Sequence, residues 1–272
     1  MISGSILMDE FLDTKEKADI SPPVEIFEGI SSVSAVINAC GREGYDRKII
    51  KVLFDREKSD KKRRELDWLK SKAGILGFEV ELCGADTINS LVTGKTHGGV
   101  AAVCTPRILP ALEKTIPESR GVYFMLEGVE DPFNFGHTIR ALYAAGVTGL
   151  VLPPRNWLSA AGTVAKSSGG TSELLPMFEA DPEAACAFFK EHGYTVVCAG
   201  IRDSVSIFDT ELAAPLFVII GGEKRGISRR LLDAADKIVR IDYGRSYSGS
   251  LPTSVASAVF AFEIMKNNFE KR

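Results

Sequence analysis

The chain has 272 residues and a formal net charge of −3, with 45% hydrophobic and 25% charged residues. This composition excludes a disordered or fibrous chain and suits a soluble globular protein of one large domain or two ordinary ones. The mild acidity argues against a nucleic-acid partner, because phosphate binding usually leaves a basic footprint, but local clusters of cations can overrule it.

The sequence carries no recognisable targeting or metal-binding pattern. Its longest apolar runs, such as 215–220, are far shorter than the roughly 20 residues of a membrane span. The N-terminus lacks the succession of basic, apolar and small residues that marks a secretory signal. We therefore expect a cytoplasmic protein with no membrane partner. The five cysteines form no CxxC pair and the three histidines are dispersed, which predicts reduced thiols and no metal site.

The first half of the chain predicts a small α/β domain over residues 23–105. Residues 1–22 have mixed charge and little periodicity, and we treat them as an arm without an assigned role. The apolar spacing then predicts helices at 33–40, 60–72 and 86–92 and strands at 49–54, 78–82 and 100–104. Prolines spaced through 106–117 predict a linker.

Residues 118–272 continue the alternation and predict a doubly wound α/β sheet. The predicted strands are 123–126, 149–152, 173–178, 195–199, 216–220 and 238–241. The predicted helices are 138–145, 159–168, 182–192, 229–235 and a closing helix after residue 250. The closing helix places four apolar side chains on roughly one face: Val255, Val259, Phe262 and Phe269.

The stretch Tyr123–Arg155 is the most suggestive for chemistry. Between its first strand and its helix we expect a polar loop at 131–136, which contains Asn134. Arg140 follows six residues later, in the predicted helix. Both side chains would then face one cleft at the carboxyl end of the strand.

The strongest charge cluster is Lys61-Lys62-Arg63-Arg64, predicted in the first turn of a helix. There the helix macrodipole makes each cation unfavourable by about 0.3–1 kcal/mol, so helix stability does not account for the cluster. A polyanion such as RNA would account for it, and a solvated surface face is the alternative. His97, followed by two glycines, either contacts RNA or belongs to a plain turn before the next strand.

Two turns in the second half are rich in glycine or hydroxyl groups. The turn 221–228 has glycines at phosphate-loop spacing, but Ile227 stands where that loop needs its lysine, which excludes a nucleotide triphosphatase. Its glycines would let the backbone wrap around a compact ligand while Glu223 projects a carboxylate, or the segment is a structural turn. The segment 246–256 either caps the closing helix, with Pro252 in its first turn, or binds a ligand.

Together these turns resemble the three motifs of the SpoU (TrmH) family of RNA ribose 2'-O-methyltransferases, within the SPOUT superfamily. The positions that carry the resemblance are Asp131, Pro132, Asn134, Gly136 and Arg140, then Gly221, Glu223 and Gly226, then Ser250, Leu251, Ser254, Val255 and Ala256. The segment 166–170 resembles the family's small-residue segment. Residues 97–100 and the rest of the first half resemble the substrate-binding domain of ribosomal-protein-L30e type found in many ribosomal-RNA members.

The resemblance implies a small L30e-like αβα sandwich followed by a SPOUT α/β domain with a C-terminal trefoil knot. It also implies S-adenosyl-L-methionine as cofactor, RNA as substrate, and a homodimer whose active site is completed across the interface. In the family the adenosine is held largely by backbone of three turns. Those turns correspond here to Ala199, Gly200, Gly221, Gly222, Ile241 and Leu251.

The polar active-site positions of the family correspond to Asn134, Arg140, Glu223 and Ser250. Methyl transfer from a sulfonium to a ribose oxygen needs proximity, a polarised 2'-hydroxyl and a held phosphate. Arg140 is often cast as the proton acceptor, yet a guanidinium is effectively always protonated. We therefore hypothesise that Arg140 clamps the flanking phosphate and stabilises the developing alkoxide, with Glu223 and Asn134 organising the pocket. His137 would either shuttle the proton or be a surface histidine.

Two departures from the family pattern keep a second function open. Pro252 stands where the third motif normally has asparagine, and Asp242-Tyr243 stand where Pro-Met is usual. The first hypothesis is a methyltransferase acting on ribosomal RNA, and the second is an RNA-binding homologue with lost or altered catalysis. A small-molecule methyltransferase is disfavoured by the basic cluster and the additional domain.

Overall fold

The structure is a computed structural model that describes residues 24–92, 94, 96–154 and 160–268. The predicted arm 1–22 and Phe269 of the closing helix lie outside the described residues. So do residues 155–159, which include Arg155 and the predicted first residue of one helix.

The N-terminal domain is a four-stranded sheet covered by helices on both faces. Its elements are β1 (Glu25–Glu28), α1 (Gly29–Ala39), β2 (Ile49–Asp55), α2 (Arg63–Leu76), β3 (Glu79–Cys83), α3 (Ala85–Leu91) and β4 (Val100–Cys104). The strand order is β1-β4-β2-β3, with only β2 and β3 parallel. Val52 and Phe54 of β2 pack with α1 and α2, whereas Leu53 packs with Ile88 of α3. Successive side chains of a strand point to opposite faces, so this is the expected αβα sandwich.

The sequence did not predict β1. Four residues are too few to establish a period of two, and both ends of this strand are glutamates. Glu25 is nevertheless buried, because Arg47 pairs with its carboxylate. A partner 22 residues away is invisible to a local pattern.

The C-terminal domain is a seven-stranded sheet in which every paired strand is parallel. Its strands are β5 (Val122–Glu127), β6 (Gly149–Leu152), β7 (Met177–Glu179), β8 (Thr195–Ala199), β9 (Val205–Ser206), β10 (Leu216–Gly221) and β11 (Lys237–Arg240). Its helices are α4 (Pro132–Ala144), α5 (Ala161–Ser167), α6 (Pro182–Glu191), α7 (Arg229–Ala234) and α8 (Thr253–Asn268). The strand order is β7-β6-β5-β10-β8-β11-β9.

Helices cover both faces of this sheet. Phe124 and Val218 pack with α4 and α8, whereas Met125 and Phe217 pack with α6 and α7. The prediction of a doubly wound sheet is therefore confirmed. No helix in the described part of the chain is long and apolar enough to cross a membrane.

Helix α4 begins at Pro132, so the prediction of a loop over 131–136 was wrong. The Asp131 carboxylate accepts a hydrogen bond from the Asn134 backbone N–H at 2.7 Å, and Pro132 occupies the first turn, where its missing N–H costs nothing. Asp-Pro is therefore a helix start here. Asn134 consequently lies in the first turn of the same helix as Arg140.

The predicted strand over 173–178 was largely wrong as well. Thr171–Glu173 form a 3-10 turn, and β7 starts only at Met177. Glu173 is buried and paired with Arg47, so its position is determined by a contact between domains and not by strand propensity.

Helix α8 buries a different face from the one that the apolar spacing indicates. Its buried residues are Thr253, Ser257, Phe260, Ala261 and Ile264. Val255 and Phe262, on the predicted face, are 44% and 43% exposed. The apolar residues of this helix are distributed around its whole circumference, so periodicity alone could not predict which side packs against α4.

The segment predicted as a linker is packed against the C-terminal domain. Ala111 forms a bridge with Glu179, and the buried Leu112 opens a short 3-10 turn within the core shared by β5 and α6. The segment therefore packs as part of the C-terminal domain and is not a separate linker.

Candidate active site at the carboxyl edge of the sheet

The parallel sheet brings the expected cofactor turns to one edge. Strand β8 lies between β10 and β11 and is parallel to both, so the carboxyl ends of the three strands are neighbours. Ala199-Gly200 come at the end of β8, Gly221-Gly222 at the end of β10, and Ile241 directly after β11. This edge is where open α/β sheets bind ligands.

The turn after β10 is built from backbone in close contact. Gly222 and Gly226 form an isolated bridge, and a Cβ placed on Gly222 would overlap the carbonyl of Gly128. A Cβ on Gly221 would likewise overlap the backbone of Gly226. The turn therefore requires glycine at both positions for steric reasons.

Asn134 and Glu223, two of the four predicted catalytic residues, are in direct contact. The Asn134 Nδ2 donates to the Glu223 Oε1 at 3.0 Å, which joins the first turn of α4 to the turn after β10. Both residues line a small cavity of about 110 Å³ together with Asp131 and Thr253. A carboxylate held by an amide in this way is oriented for binding or for polarising a hydroxyl.

Two residues that the sequence reading missed hold this turn in place. The Thr253 hydroxyl, buried at the start of α8, donates to the Gly221 carbonyl at 3.1 Å. The Glu127 carboxylate accepts from the Ser228 backbone N–H at 2.9 Å. The available signal was a polar residue directly after an apolar strand, and a hydroxyl residue at a helix start.

Arg140 does not line the small cavity that Asn134 and Glu223 share. It is exposed, and its guanidinium borders Gly169, where a Cβ would come within 3.9 Å of Cζ. Six residues along one helix separate two side chains by roughly 9 Å and about 120° around the axis. That Asn134 and Arg140 face one cleft stays a prediction.

Comparison with known proteins identifies the family. The model of the SpoU rRNA Methylase family matches residues 121–262, more than half of the chain, and the model described as RNA 2'-O ribose methyltransferase substrate binding matches residues 27–109. The chain belongs to the SpoU rRNA methylase family. The resemblance based on the three motifs is thereby confirmed.

Relatives of this SpoU family member match over nearly the whole chain. A 23S rRNA (guanosine-2'-O-)-methyltransferase RlmB from a Burkholderia species is 27% identical over 255 residues, which cover 92% of this chain and 99% of the relative. The RlmB of Pasteurella multocida is 26% identical and covers 88% and 96%.

Solved structures share the fold over both domains. An AdoMet-bound rRNA methyltransferase from Sinorhizobium meliloti superposes with a TM-score of 0.75 at 20% identity, covering 90% of this chain and 87% of that one. The SpoU methyltransferase AviRb from Streptomyces viridochromogenes, in complex with AdoMet, gives a TM-score of 0.74 at 19% identity and covers 92% of each chain.

The third motif of this SpoU protein opens α8. The Pro252 carbonyl accepts from the backbone N–H groups of Val255 and Ala256 at 2.9 and 3.0 Å. Ser250 is exposed and Leu251 half-buried, and both lie directly before the helix. The structure thus places both residues next to Thr253 but shows no contact between Ser250 and Glu223.

Asp242, one of the departures from the family pattern, is engaged within its own loop. It accepts a hydrogen bond from the Arg240 Nε at 2.7 Å. Hydrogen bonds from Ser206 and then Arg240 lower the pKa of this carboxyl group. Tyr243 is exposed, with its ring centroid 5.8 Å from that of Tyr247.

The basic turn, Lys61–Arg64, remains accessible. Helix α2 begins at Arg63, so Lys61 and Lys62 precede the helix instead of lying in its first turn as predicted. Lys61, Arg63 and Arg64 are exposed. Lys62 is half-buried, pairs with Glu65 at 3.1 Å and approaches Gly98.

His97 is not presented to RNA, contrary to its predicted role. His97 is only 8% exposed. The Gly99 N–H donates to the His97 Nδ1 at 3.1 Å, and the His97 Nε2 contacts the Asn89 Oδ1 at 3.0 Å. Both ring nitrogens are therefore used inside the domain. The imidazole holds the turn before β4, which was the alternative interpretation.

Four of the five cysteines are buried. All five cysteines are free, and burial raises the pKa of Cys104 and of Cys198 to about 12. Within the ranges that the structure describes, no group of His, Cys, Asp and Glu side chains could hold a metal ion.

Proposed function

We propose that this protein transfers a methyl group from S-adenosyl-L-methionine to a ribose 2'-hydroxyl in ribosomal RNA. The observation that carries the proposal is the Asn134–Glu223 hydrogen bond, which joins the first and second family motifs at the carboxyl edge of the sheet. The match along almost the full length to 23S rRNA (guanosine-2'-O-)-methyltransferases supports ribosomal RNA as the substrate class.

The residues at this edge fit the cofactor. Gly221 and Gly222 leave the turn after β10 without side chains, so its peptide groups can bind the adenosine, while Ile241 follows the end of β11 and Leu251 precedes α8. Ala199-Gly200 offer further backbone at the neighbouring strand end. When bound there, S-adenosyl-L-methionine would supply an electrophilic methyl group on a sulfonium. These positions bind it in our proposal.

The polar residues act on the RNA. Glu223, oriented by Asn134, organises the pocket, and Ser250, exposed shortly before α8, supplies the hydroxyl of the third motif. Arg140 carries a guanidinium, so it holds the flanking phosphate and stabilises the 2'-oxygen while the hydroxyl proton passes to solvent water. His137 is exposed on α4, in keeping with a surface histidine.

Two experiments distinguish this function from its alternative. The changes at Pro252, Asp242 and Tyr243 support a second candidate, an RNA-binding homologue with lost or altered catalysis. Calorimetric titration with S-adenosyl-L-methionine, followed by mapping of 2'-O-methylation across ribosomal RNA in cells with and without the gene, distinguishes the two. Cofactor binding with a missing methyl group in the deleted strain supports the enzyme. A folded protein that binds RNA without cofactor supports the alternative.

We also propose that the protein is a cytoplasmic homodimer in which Arg140 of one subunit serves the Glu223 side of the other. Within one subunit the Arg140 guanidinium borders Gly169 and does not line the cavity at Glu223. Tyr143, three residues after Arg140 on α4, is 40% exposed, and the adjacent α8 exposes Val255 and Phe262. A second copy would cover this apolar face. The trefoil knot and the domain limits at 105 and 118 remain predictions.

Replacing Phe262 with glutamate is expected to convert the dimer into a monomer, because a charge would be buried at the centre of the proposed interface. Light scattering coupled to gel filtration measures the mass. Ile75→Glu, which places the same charge on an exposed residue of α2, is the control and should stay dimeric. A Phe262→Glu protein with wild-type mass would contradict this interface.

Neutralising the basic turn by changing Lys61, Lys62, Arg63 and Arg64 to glutamine is expected to weaken RNA binding while cofactor affinity stays unchanged. Each lost phosphate contact should reduce the slope of log affinity against log salt by about 0.7–0.9. Filter binding at several salt concentrations measures both quantities. Lys70→Gln, an exposed cation on the same helix, is the control. An unchanged affinity and slope would exclude the turn from the RNA interface.

A further inference from the structure

The two domains share a tightly packed seam formed by α5 on one side and β1 and α1 on the other. A Cβ on Gly162 would overlap the Ile26 carbonyl, and one on Gly170 would overlap the side chain of Ala35. Ala165 of α5 is buried within the hydrophobic core of the N-terminal domain. Backbone contact of this closeness leaves little freedom for one domain to slide on the other.

A buried charge cluster crosses the seam. The Arg47 side chain, 3% exposed, pairs with Glu25 of its own domain and, at 3.0 Å, with Glu173 of the catalytic domain. Glu173 also accepts a hydrogen bond from the Tyr45 hydroxyl at 2.7 Å. The guanidinium lies 4.6 Å from the centre of the Phe27 ring. The cluster therefore joins the domains through one arginine with a satisfied set of partners.

A second tie connects the seam to the proposed RNA contacts. Lys166 of α5 pairs with Glu28 and contacts the Thr96 hydroxyl at 2.6 Å. Thr96 lies two residues before Gly98, which Lys62 of the basic turn approaches. Three residues after Lys166 along the chain, Gly169 borders Arg140. One loop and one helix thus link the basic turn to Arg140.

Building on the proposed function, we propose that the Glu25–Arg47–Glu173 cluster fixes the N-terminal domain on α5, so that the basic turn and Arg140 form one rigid RNA-binding face. Arg47 and Glu173 are positioning residues in this proposal and touch no substrate. A buried ion pair seldom adds net stability over apolar residues of the same size, but it does penalise arrangements that separate its partners. RNA bound by both domains then loses less orientational freedom at the reacting ribose.

The Glu173→Gln variant tests this directly, because it removes the charge that faces Arg47 across the seam and keeps the side-chain size. We expect the KM for ribosomal RNA to rise roughly tenfold, because losing one charge-assisted hydrogen bond usually has an effect of that size. The kcat at saturating RNA and the cofactor affinity should stay nearly unchanged. Hydrogen exchange should become faster in β1 and α5 but not in β8 and β10. Glu81→Gln, which breaks an exposed ion pair with Lys51 away from the seam, is the control.

Tyr45→Phe provides the same test if Glu173→Gln does not fold, since it removes only one hydroxyl donor to Glu173. It should give smaller changes of the same kind. The proposal is overturned if the folded variant shows an unchanged KM for RNA. It is also overturned if kcat or KM changes without faster hydrogen exchange in β1 and α5. If the wild-type protein transfers no methyl group, the proposed function fails, whereas RNA affinity and exchange at the seam still decide whether the cluster orients the domains.

Discussion

Replacing Arg140 with alanine is expected to reduce methyl transfer by about 10²- to 10³-fold, the usual effect of removing one group that stabilises a developing oxyanion. The guanidinium is exposed beside Gly169 and does not line the cavity at Glu223, so cofactor affinity should not change. Single-turnover transfer of a labelled methyl group to ribosomal RNA measures the first quantity, and calorimetric titration measures the second.

Two further variants separate the possible roles of Arg140. Arg140→Lys keeps the charge but loses bidentate contact with phosphate, so it should recover only part of the rate. His137→Ala removes an exposed neighbour on the same helix and should retain activity. Full transfer by Arg140→Ala together with an inactive His137→Ala would assign the reaction to the histidine and reject the role proposed for the arginine.

Replacing Gly222 with alanine is expected to abolish detectable cofactor binding and to lower the free energy of unfolding by about 1–3 kcal/mol, as overpacking usually does. The new methyl group would overlap the backbone carbonyl of Gly128, which cannot move without displacing the end of β5. The neighbouring Glu223 would then lose its contact with Asn134. Calorimetry and urea unfolding measure the two effects.

Gly74→Ala is the matched control, because it adds the same methyl group in the interior of α2, where nothing lies within 4 Å. It should stabilise the protein by roughly 0.5–1 kcal/mol through helix propensity and leave cofactor binding unchanged. Wild-type cofactor affinity in Gly222→Ala would show that the turn after β10 is not the cofactor cradle.

Local pattern was sufficient for much of the fold. The predicted strands 100–104, 149–152 and 195–199 coincide with β4, β6 and β8, because short apolar runs bounded by turn residues determine their own limits. The three motifs were recognisable for the same reason, since each is a short stretch next to a strand end. Parallel pairing then placed the turns that we propose for cofactor binding at one edge of the sheet.

Local pattern failed where a residue's role depends on a distant partner. Asp131-Pro132 signals both a loop and a helix start, and the helix was decided by the hydrogen bond to Asn134. His97 had a suggestive setting between turn residues, but its ring is occupied by Asn89 and Gly99. The distinction between a surface and a buried side chain needed the surrounding structure.

The sequence by itself determined the family, the α/β class, most strand positions and the candidates at the strand ends, because these depend on residue types at short spacing. Only the tertiary structure decided which face of α8 is buried, that Asn134 contacts Glu223, and that Arg47 joins the domains. Arg47 and Glu173 are separated by 126 residues, and nothing in either local sequence marks the other as its partner. Burial and pairing at that separation depend on how whole elements pack, which no periodicity of two or 3.6 residues encodes.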